Sequence, residues 1–118
     1  MAKYAVLIYG DEAQWDAMSA DAQKQLDAAH RAFSAALGSA ILDGQELQPV
    51  SKSTTLRTNG SGRLSVTDGP FVETKEALGG YYLIEAASLD EVVAHAKNLS
   101  EVSAGHSWVE IREVVDHG

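Results

Sequence analysis

The stretch DGPFVETKEALGGYYLIEAASLDE, residues 68–91, contains the signals that decide the fold. It opens on Asp68-Gly69-Pro70, three residue types that favour a turn and would interrupt a strand. A charged loop follows, and a pair of glycines then leads into an apolar and aromatic run over 81–86 that predicts a strand. Directly after it, Ser88 and Glu91 stand at capping-box spacing, which predicts the start of a helix.

Toward the N-terminus, the chain predicts a strand and then a long helix. Residues 3–9 are largely apolar, β-branched or aromatic, which is typical of a strand with both faces partly covered. Ser19 is a suitable N-cap and Gly38 a suitable C-terminal stop for the helix between them. Its apolar residues recur at spacings of three and four and form one stripe, made of Leu26, Ala29, Phe33 and Leu37.

The remaining β-prone segments complete a recognisable order of elements. They span 40–47, which is short or bent at Asp43-Gly44, then 54–58, 63–67 and 108–115. The second and third flank Asn59-Gly60-Ser61-Gly62 and predict a hairpin. With that inserted hairpin set aside, the order is the βαββαβ pattern of ferredoxin-like α+β folds. One domain is expected over 1–118, because no repeat, linker or low-complexity segment divides the chain.

Two helices can cover only one face of such a sheet, so the other face is predicted to need a partner. A second copy of the sheet is the usual partner, and we expect a homodimer. Strand alternation indicates which side chains share the open face: Tyr81, Leu83, Glu85, Trp108, Glu110, Arg112 and Val114. This mixed aromatic and charged face is expected to line a pocket or an interface.

Composition restricts the classes of partner. The formal charge is −8 and the 9 Lys and Arg residues are scattered, which argues against nucleic acid because phosphate binding needs clustered basic side chains. The chain has no cysteine, so disulfides and thiolate ligands are excluded. No apolar run reaches the roughly 18 residues that a membrane span requires, and the N-terminal segment does not resemble a secretory signal. A cytoplasmic protein is therefore expected.

The run Asp68–Glu76, followed by Leu78–Ile84, resembles the signature of the DGPF subgroup of YCII-related proteins. The resemblance covers nearly the whole chain and extends to Val109–Arg112 in the closing strand. It implies a dimeric α/β barrel in which two sheets pack face to face. It also implies a pocket with a histidine and an aspartate, for which His30 and Asp68 are the matching positions. Some members of the subgroup resemble companions or fusions of extracytoplasmic-function sigma factors.

Asp68 and His30 are the candidate catalytic residues. If the turn holds the Asp68 carboxylate at a cleft, burial could tune it as an acid or a base. His30 lies one turn after Leu26 at the edge of the apolar stripe and becomes a general base if it faces the same cleft. Structural interpretations stay open for both: Asp68 as an acceptor in a turn whose Phe71 fills the core, and His30 as a packing or surface residue.

The candidate substrate-binding residues are Lys75, Arg112, Glu73 and Tyr81. Lys75 could pair with a neighbouring carboxylate or hold an anion, and Arg112 could hold a carboxylate bidentately or form an ion pair across a dimer. Tyr81 either fills the dimer core or stacks on a ligand. No metal site is predicted, because the spacing of the 4 histidines is not that of metal ligands.

Two functions stay open at this level. One is a small acid-base enzyme, without metal or organic cofactor, that acts on a small polar or anionic molecule in a dimer-associated pocket. The other is a non-catalytic dimeric module that binds a ligand or a protein, in connection with sigma-factor regulation. Geometry discriminates between them, since a catalytic pair must lie within reach of one bridging water.

Overall fold

In the computed structural model, which describes residues 1–72 and 74–118, the described chain contains six strands and four α-helices. The strands are β1 (Ala2–Asp11), β2 (Ile41–Glu46), β3 (Thr54–Thr58), β4 (Leu64–Asp68), β5 (Glu76–Ala86) and β6 (Ser107–Glu113). The helices are α1 (Glu12–Asp16), α2 (Ala20–Leu37), α3 (Leu89–Ala96) and α4 (Ser100–Ser103). Across these described ranges, no helix combines the length and the apolar character that crossing a bilayer would need.

Four strands form one antiparallel sheet in the order β2-β5-β1-β6. This is the strand order of a ferredoxin-like fold once the β3–β4 hairpin is set aside, so the predicted α+β class is confirmed. The hairpin forms a separate two-stranded sheet, in which Thr54 lies opposite Asp68 and Thr58 opposite Leu64. The inserted hairpin is thus where the sequence predicts it.

The core lies between one face of the four-stranded sheet and the helices. Its buried members are Tyr4, Val6, Phe33, Ile84, Ala86, Val92, Ala96 and Leu99. Both predicted helix starts are confirmed by their caps, since Ser19 Oγ accepts from the N–H of Ala22 at 3.1 Å and Ser88 Oγ from that of Glu91 at 3.3 Å. Each cap satisfies a backbone donor that the first turn of a helix leaves unpaired.

The opposite face of the sheet is uncovered in the single chain. On β6, Val109 and Ile111 pack against the core, whereas Glu110 and Arg112 are exposed, as the predicted alternation requires. Trp108 is 43% exposed on this face. Its ring stacks on that of Tyr9 in β1, with centroids 5.5 Å apart and planes 10° from parallel.

The turn after β4 forms as predicted, but the prediction that Phe71 fills the core is wrong. Gly69 has a φ of +90°, which glycine adopts without strain. Its N–H donates to the carbonyl of Ser53 at 2.7 Å and ties the turn to the start of β3. Phe71 is 64% exposed, and the Arg57 guanidinium lies 3.6 Å from its ring centroid. The ring therefore packs on the hairpin, which projects away from the core.

β5 begins earlier than predicted, at Glu76, so Gly79 and Gly80 lie inside the strand instead of leading into it. A Cβ on Gly80 would come within 2.9 Å of the carbonyl oxygen of Gln45 in β2. A Cβ on Gly79 would come within 2.6 Å of the Trp15 ring. The glycines here permit close approach of neighbouring groups, which is a different role from ending a strand.

Candidate functional site

A cleft of about 380 Å³ lies between α2 and the part of the sheet where β2 and β5 meet. Its volume falls within the range of sites that hold one small molecule. The lining residues come from both helical and strand segments: Ile8, Trp15, Met18, Gln23, Leu26, Asp27, His30, Gly44, Gln45, Glu46, Gly79, Gly80, Tyr81, Tyr82 and Glu101. The cleft is on the helix-covered side of the sheet, not on the open face.

His30 is held in this cleft through both of its ring nitrogens. Nδ1 lies 2.6 Å from the hydroxyl oxygen of Tyr82. Nε2 lies 3.0 Å and 2.8 Å from the two carboxylate oxygens of Glu101. Three separate elements, α2, β5 and α4, thus meet at one imidazole.

Local structure explains why these three side chains converge. His30 is four residues after Leu26 and three before Phe33, so it shares the face of α2 that meets the sheet. Tyr82 is two residues before the buried Ile84 on β5 and points to the same side. Glu101 is only 6% exposed on the short α4 and lies two residues after the buried Leu99.

Glu101 fixes the orientation and the tautomer of the imidazole. An ionised carboxylate can only accept hydrogen bonds, so Nε2 carries the hydrogen. In neutral His30, Nδ1 is then an acceptor for the hydroxyl of Tyr82. In charged His30, Nδ1–H donates to the oxygen of Tyr82, which frees the phenolic hydrogen. A histidine whose second nitrogen is held by an acid is the arrangement that activates a base in many enzymes.

Tyr82 is held in its protonated form. Burial raises the pKa of its phenol, a hydrogen bond with Ser34 opposes this, and the negative charge of Glu101 raises the pKa further. The ring is fixed by Phe33, whose centroid is 4.8 Å away. On the other side a Cβ at Gly44 would approach the Tyr82 ring to 2.7 Å, so glycine is required for this packing. Tyr82 is therefore a rigid, neutral hydroxyl donor at the cleft.

Trp15 forms another wall of the cleft. Its indole Nε1–H donates to Ser107 Oγ at 2.8 Å. Ser107 is buried, and its hydroxyl also contacts Nδ1 of His106 at 2.7 Å. The ring lies against the backbone at Gly10 and Gly79, where a Cβ would collide with it. Trp15 is held at its polar edge and along its ring, which leaves a fixed apolar surface in the cleft.

Asp68 is not brought to this cleft within one chain. It is exposed at the end of β4 and is absent from the residues that line the cleft, whereas His30 is among them. Both ring nitrogens of His30 are occupied by Tyr82 and Glu101. A catalytic role for Asp68 stays a prediction, and the described structure gives His30 different partners.

The other predicted binding residues lie in three different places. Lys75 is exposed, with Nζ 4.0 Å from Oδ2 of Asp11. Arg112 is exposed on β6. Tyr81 does contribute to the cleft lining, and its hydroxyl donates to Oδ2 of Asp43 at 2.8 Å. Glu73 lies outside the described residues. A shared substrate-binding role for this set stays a prediction.

The Tyr81–Asp43 contact changes the acidity of both groups. The hydrogen bond to Asp43 is the main reason that the pKa of Tyr81 is raised. The same hydrogen bond, aided by the N–H of Gly44, lowers the pKa of the Asp43 carboxyl. The pair therefore favours a phenol and a carboxylate, and it links β5 to β2.

Sequence reasoning missed Glu101, Tyr82 and Trp15 as functional residues. The alternation of β5 placed the side chain of Tyr82 on the side of the strand opposite to that of Tyr81. Nothing in the local sequence marked Tyr82 as a partner of His30. Glu101 and Trp15 lie in short helices that the sequence patterns did not predict. In residues 1–72 and 74–118 there is no group of three or more His, Cys, Asp or Glu side chains placed to hold a metal ion.

The fold and the cleft define a small ferredoxin-like α+β protein with a site of small-molecule size. The model of the YCII-related domain family matches residues 2–117, and the chain belongs to this family. It is 39% identical over 115 residues to an uncharacterised protein of Rhizobium meliloti, a match that covers 92% of this chain and 89% of the relative. Membership of the DGPF subgroup stays a prediction.

A solved structure supports the fold. The chain resembles 5-chloro-2-hydroxyhydroquinone dehydrochlorinase of Burkholderia phenoliruptrix, determined in complex with 2,5-dihydroxybenzoquinone. The TM-score is 0.50 with 21% identity, and the alignment covers 98% of this chain and 95% of the other. At this identity the likeness shows the fold alone.

Proposed function

We propose that the chain is a small acid-base enzyme that transfers protons to or from a small molecule bound in the cleft. One observation carries this proposal: the imidazole of His30 bridges the hydroxyl of Tyr82 and the carboxylate of Glu101 at the cleft wall. Imidazole and phenol are side chains that can exchange protons with a substrate by themselves.

The hydrogen-bond pattern assigns a role to each of the three groups. Both ring nitrogens of His30 are engaged by the protein, so a bound molecule exchanges its proton with the hydroxyl of Tyr82. When Tyr82 donates to the substrate, charged His30 returns a proton from Nδ1 to the phenolic oxygen. When the substrate loses a proton, the transfer runs in the opposite direction. Glu101 orients the ring and stabilises the imidazolium that forms.

The likeness to a dehydrochlorinase is compatible with this proposal, because that protein acts on a small hydroxylated ring. It supplies a first compound to try, 5-chloro-2-hydroxyhydroquinone, within a wider panel of enolisable and phenolic molecules. The support for catalysis in this chain comes from the cleft and its three side chains.

Hydrogen–deuterium exchange into a panel of small molecules tests the proposal and does not require that the natural substrate be identified. The panel is incubated with protein in D₂O, and deuterium incorporation or product formation is followed by mass spectrometry. Tyr82→Phe and His30→Gln should each lower the rate of an accelerated reaction by about 10²- to 10⁴-fold, the usual contribution of a positioned acid or base.

Matched controls separate chemistry from folding. Tyr9→Phe removes a hydroxyl from the open face and His95→Gln removes an imidazole from α3, and both should keep the wild-type rate. Folded Tyr82→Phe and His30→Gln proteins that retain full activity would refute the proposed mechanism. A protein that binds a panel compound in the cleft but exchanges no proton would favour the predicted non-catalytic ligand-binding module.

We also propose that the active form is a homodimer in which a second copy covers the open face of the sheet. The support is the uncovered aromatic pair of Tyr9 and Trp108 beside exposed charged residues on β6. The helices cover only one face of the sheet, so the other face lacks the packing partner that a sheet face usually has.

A further inference from the structure

We infer that the cleft accepts a molecule that has a planar apolar part and carries no negative charge. This inference rests on the proposed function of the same site and narrows its substrate class. The sequence left open whether the bound molecule is polar or anionic. The cleft favours a polar molecule that is uncharged or cationic. The two supporting observations are the fixed indole of Trp15 and the charges of the lining residues.

Trp15 offers a preorganised surface for a flat group. Its Nε1 is satisfied by the buried Ser107, so the ring needs no hydrogen bond from a ligand. Gly10 and Gly79 leave room for the ring to lie against the backbone, and any side chain at either position would displace it. A ring fixed in this way loses little freedom on binding, and aromatic groups gain from stacking against it.

The charge of the cleft disfavours anions. Among the lining residues within 1–72 and 74–118 there are three carboxylates, Asp27, Glu46 and Glu101, and neither lysine nor arginine. Glu101 is engaged by His30, whereas Asp27 and Glu46 are exposed. The formal charge of the chain, −8, has the same sign. An anion entering this cleft meets repulsion from these carboxylates, and neither lysine nor arginine is there to pair with it.

Three probes that share one ring isolate the effect of charge. Tyramine carries an ammonium, 4-ethylphenol is neutral and 4-hydroxyphenylacetate carries a carboxylate, all on a 4-hydroxyphenyl group. In a Trp108→Phe background Trp15 is the single tryptophan, because the chain has 2. Its fluorescence then reports binding at the cleft. Tyramine and 4-ethylphenol should bind saturably, and 4-hydroxyphenylacetate should bind about tenfold more weakly at low ionic strength.

Substitution of one carboxylate tests the cause of that difference. Glu46→Lys should raise the affinity for 4-hydroxyphenylacetate and lower that for tyramine. Asp90→Lys makes the same charge change at an exposed position on α3 and should leave the order of the probes as it is. The inference is overturned if 4-hydroxyphenylacetate binds as tightly as 4-ethylphenol, or if neither tyramine nor 4-ethylphenol gives saturable binding.

The result of the probe-binding test is independent of the result of the catalysis test. If the anion binds best while Tyr82→Phe still abolishes turnover, the inference about charge fails and the proposed function stands. If the probes bind in the expected order while Tyr82→Phe keeps full activity, the proposed function fails and the cleft remains a site for uncharged or cationic ligands.

Discussion

His30 makes its two contacts with residues that lie 52 and 71 positions further along the chain. At the scale of single residues, the sequence predicted part of this site. The helical stripe placed His30 near the sheet, and alternation along β5 placed Tyr82 on one side of it. The contact with Glu101 has no local signal, because α4 is a single turn whose position depends on the packing of Leu99 into the core.

The raised pKa of Tyr82 predicts a dependence of stability on alkaline pH. Its folded-state pKa lies above the value in the unfolded chain, about 10. Between the two pKa values the native state binds more protons than the unfolded state, so the free energy of unfolding falls as pH rises through that interval. Tyr82→Phe should therefore lose less stability than the wild type when the pH is raised above about 10.

Urea unfolding at a series of pH values measures this difference. Tyr9→Phe is the matched control, because it removes a hydroxyl from the open face and keeps the tyrosine count equal. Parallel pH profiles for wild type and Tyr82→Phe would show that Tyr82 contributes nothing to the alkaline loss of stability.

At the scale of elements, the cleft depends on how closely β2 approaches β5. A Cβ on Gly80 would lie 2.9 Å from the carbonyl oxygen of Gln45 and 3.5 Å from the Cα of Glu46. All three residues line the cleft. The strand pattern alone could not reveal this, because a glycine pair before an aromatic run also fits a turn.

Gly80→Ala should destabilise the protein and distort the cleft. The added methyl group meets backbone atoms, which cannot move aside like a flexible side chain, so β2 must shift. We expect a loss of about 1–3 kcal/mol in the free energy of unfolding, as for other overpacked sites. Chemical denaturation measures the loss of stability. In the Trp108→Phe background, weaker binding of 4-ethylphenol, followed by the fluorescence of Trp15, reports the change in the cleft.

Gly60→Ala is the control for this substitution. Gly60 has no positive φ, and apart from its own neighbours in the chain no atom lies within 4 Å of the position of its Cβ, so alanine should be tolerated there. Equal stability of the Gly80→Ala and wild-type proteins would contradict the close packing of β2 on β5.

At the scale of the whole molecule, the chain is flat. Its principal extents are 49 × 45 × 20 Å, and its radius of gyration is 16.4 Å. A compact chain of this length is expected to have a radius of gyration of roughly 13.5 Å. The short dimension matches one layer of helix on one layer of sheet, and the projecting hairpin accounts for part of the excess. Such a shape leaves the open sheet face available to a second copy.

The proposed homodimer predicts that a charge on the open face yields monomers. Trp108→Glu places a carboxylate where the interface would bury it, which is costly without a partner charge. Sedimentation velocity should show the wild type as a dimer and Trp108→Glu as a monomer. Ala28→Glu, which adds the same charge to an exposed position on α2, should remain dimeric. A monomeric wild type at micromolar concentration would contradict the proposal.

The sequence by itself determined the family, the ferredoxin-like order of elements, the inserted hairpin and the sides of β5 and β6 that face the core. These features depend on local signals, namely caps, turns and periodicity, that act over a few residues. The tertiary structure alone decided that His30 meets Tyr82 and Glu101, that Trp15 rests against glycines, and that Phe71 lies outside the core. Those contacts join segments far apart in the chain, and their geometry is fixed by how the elements pack.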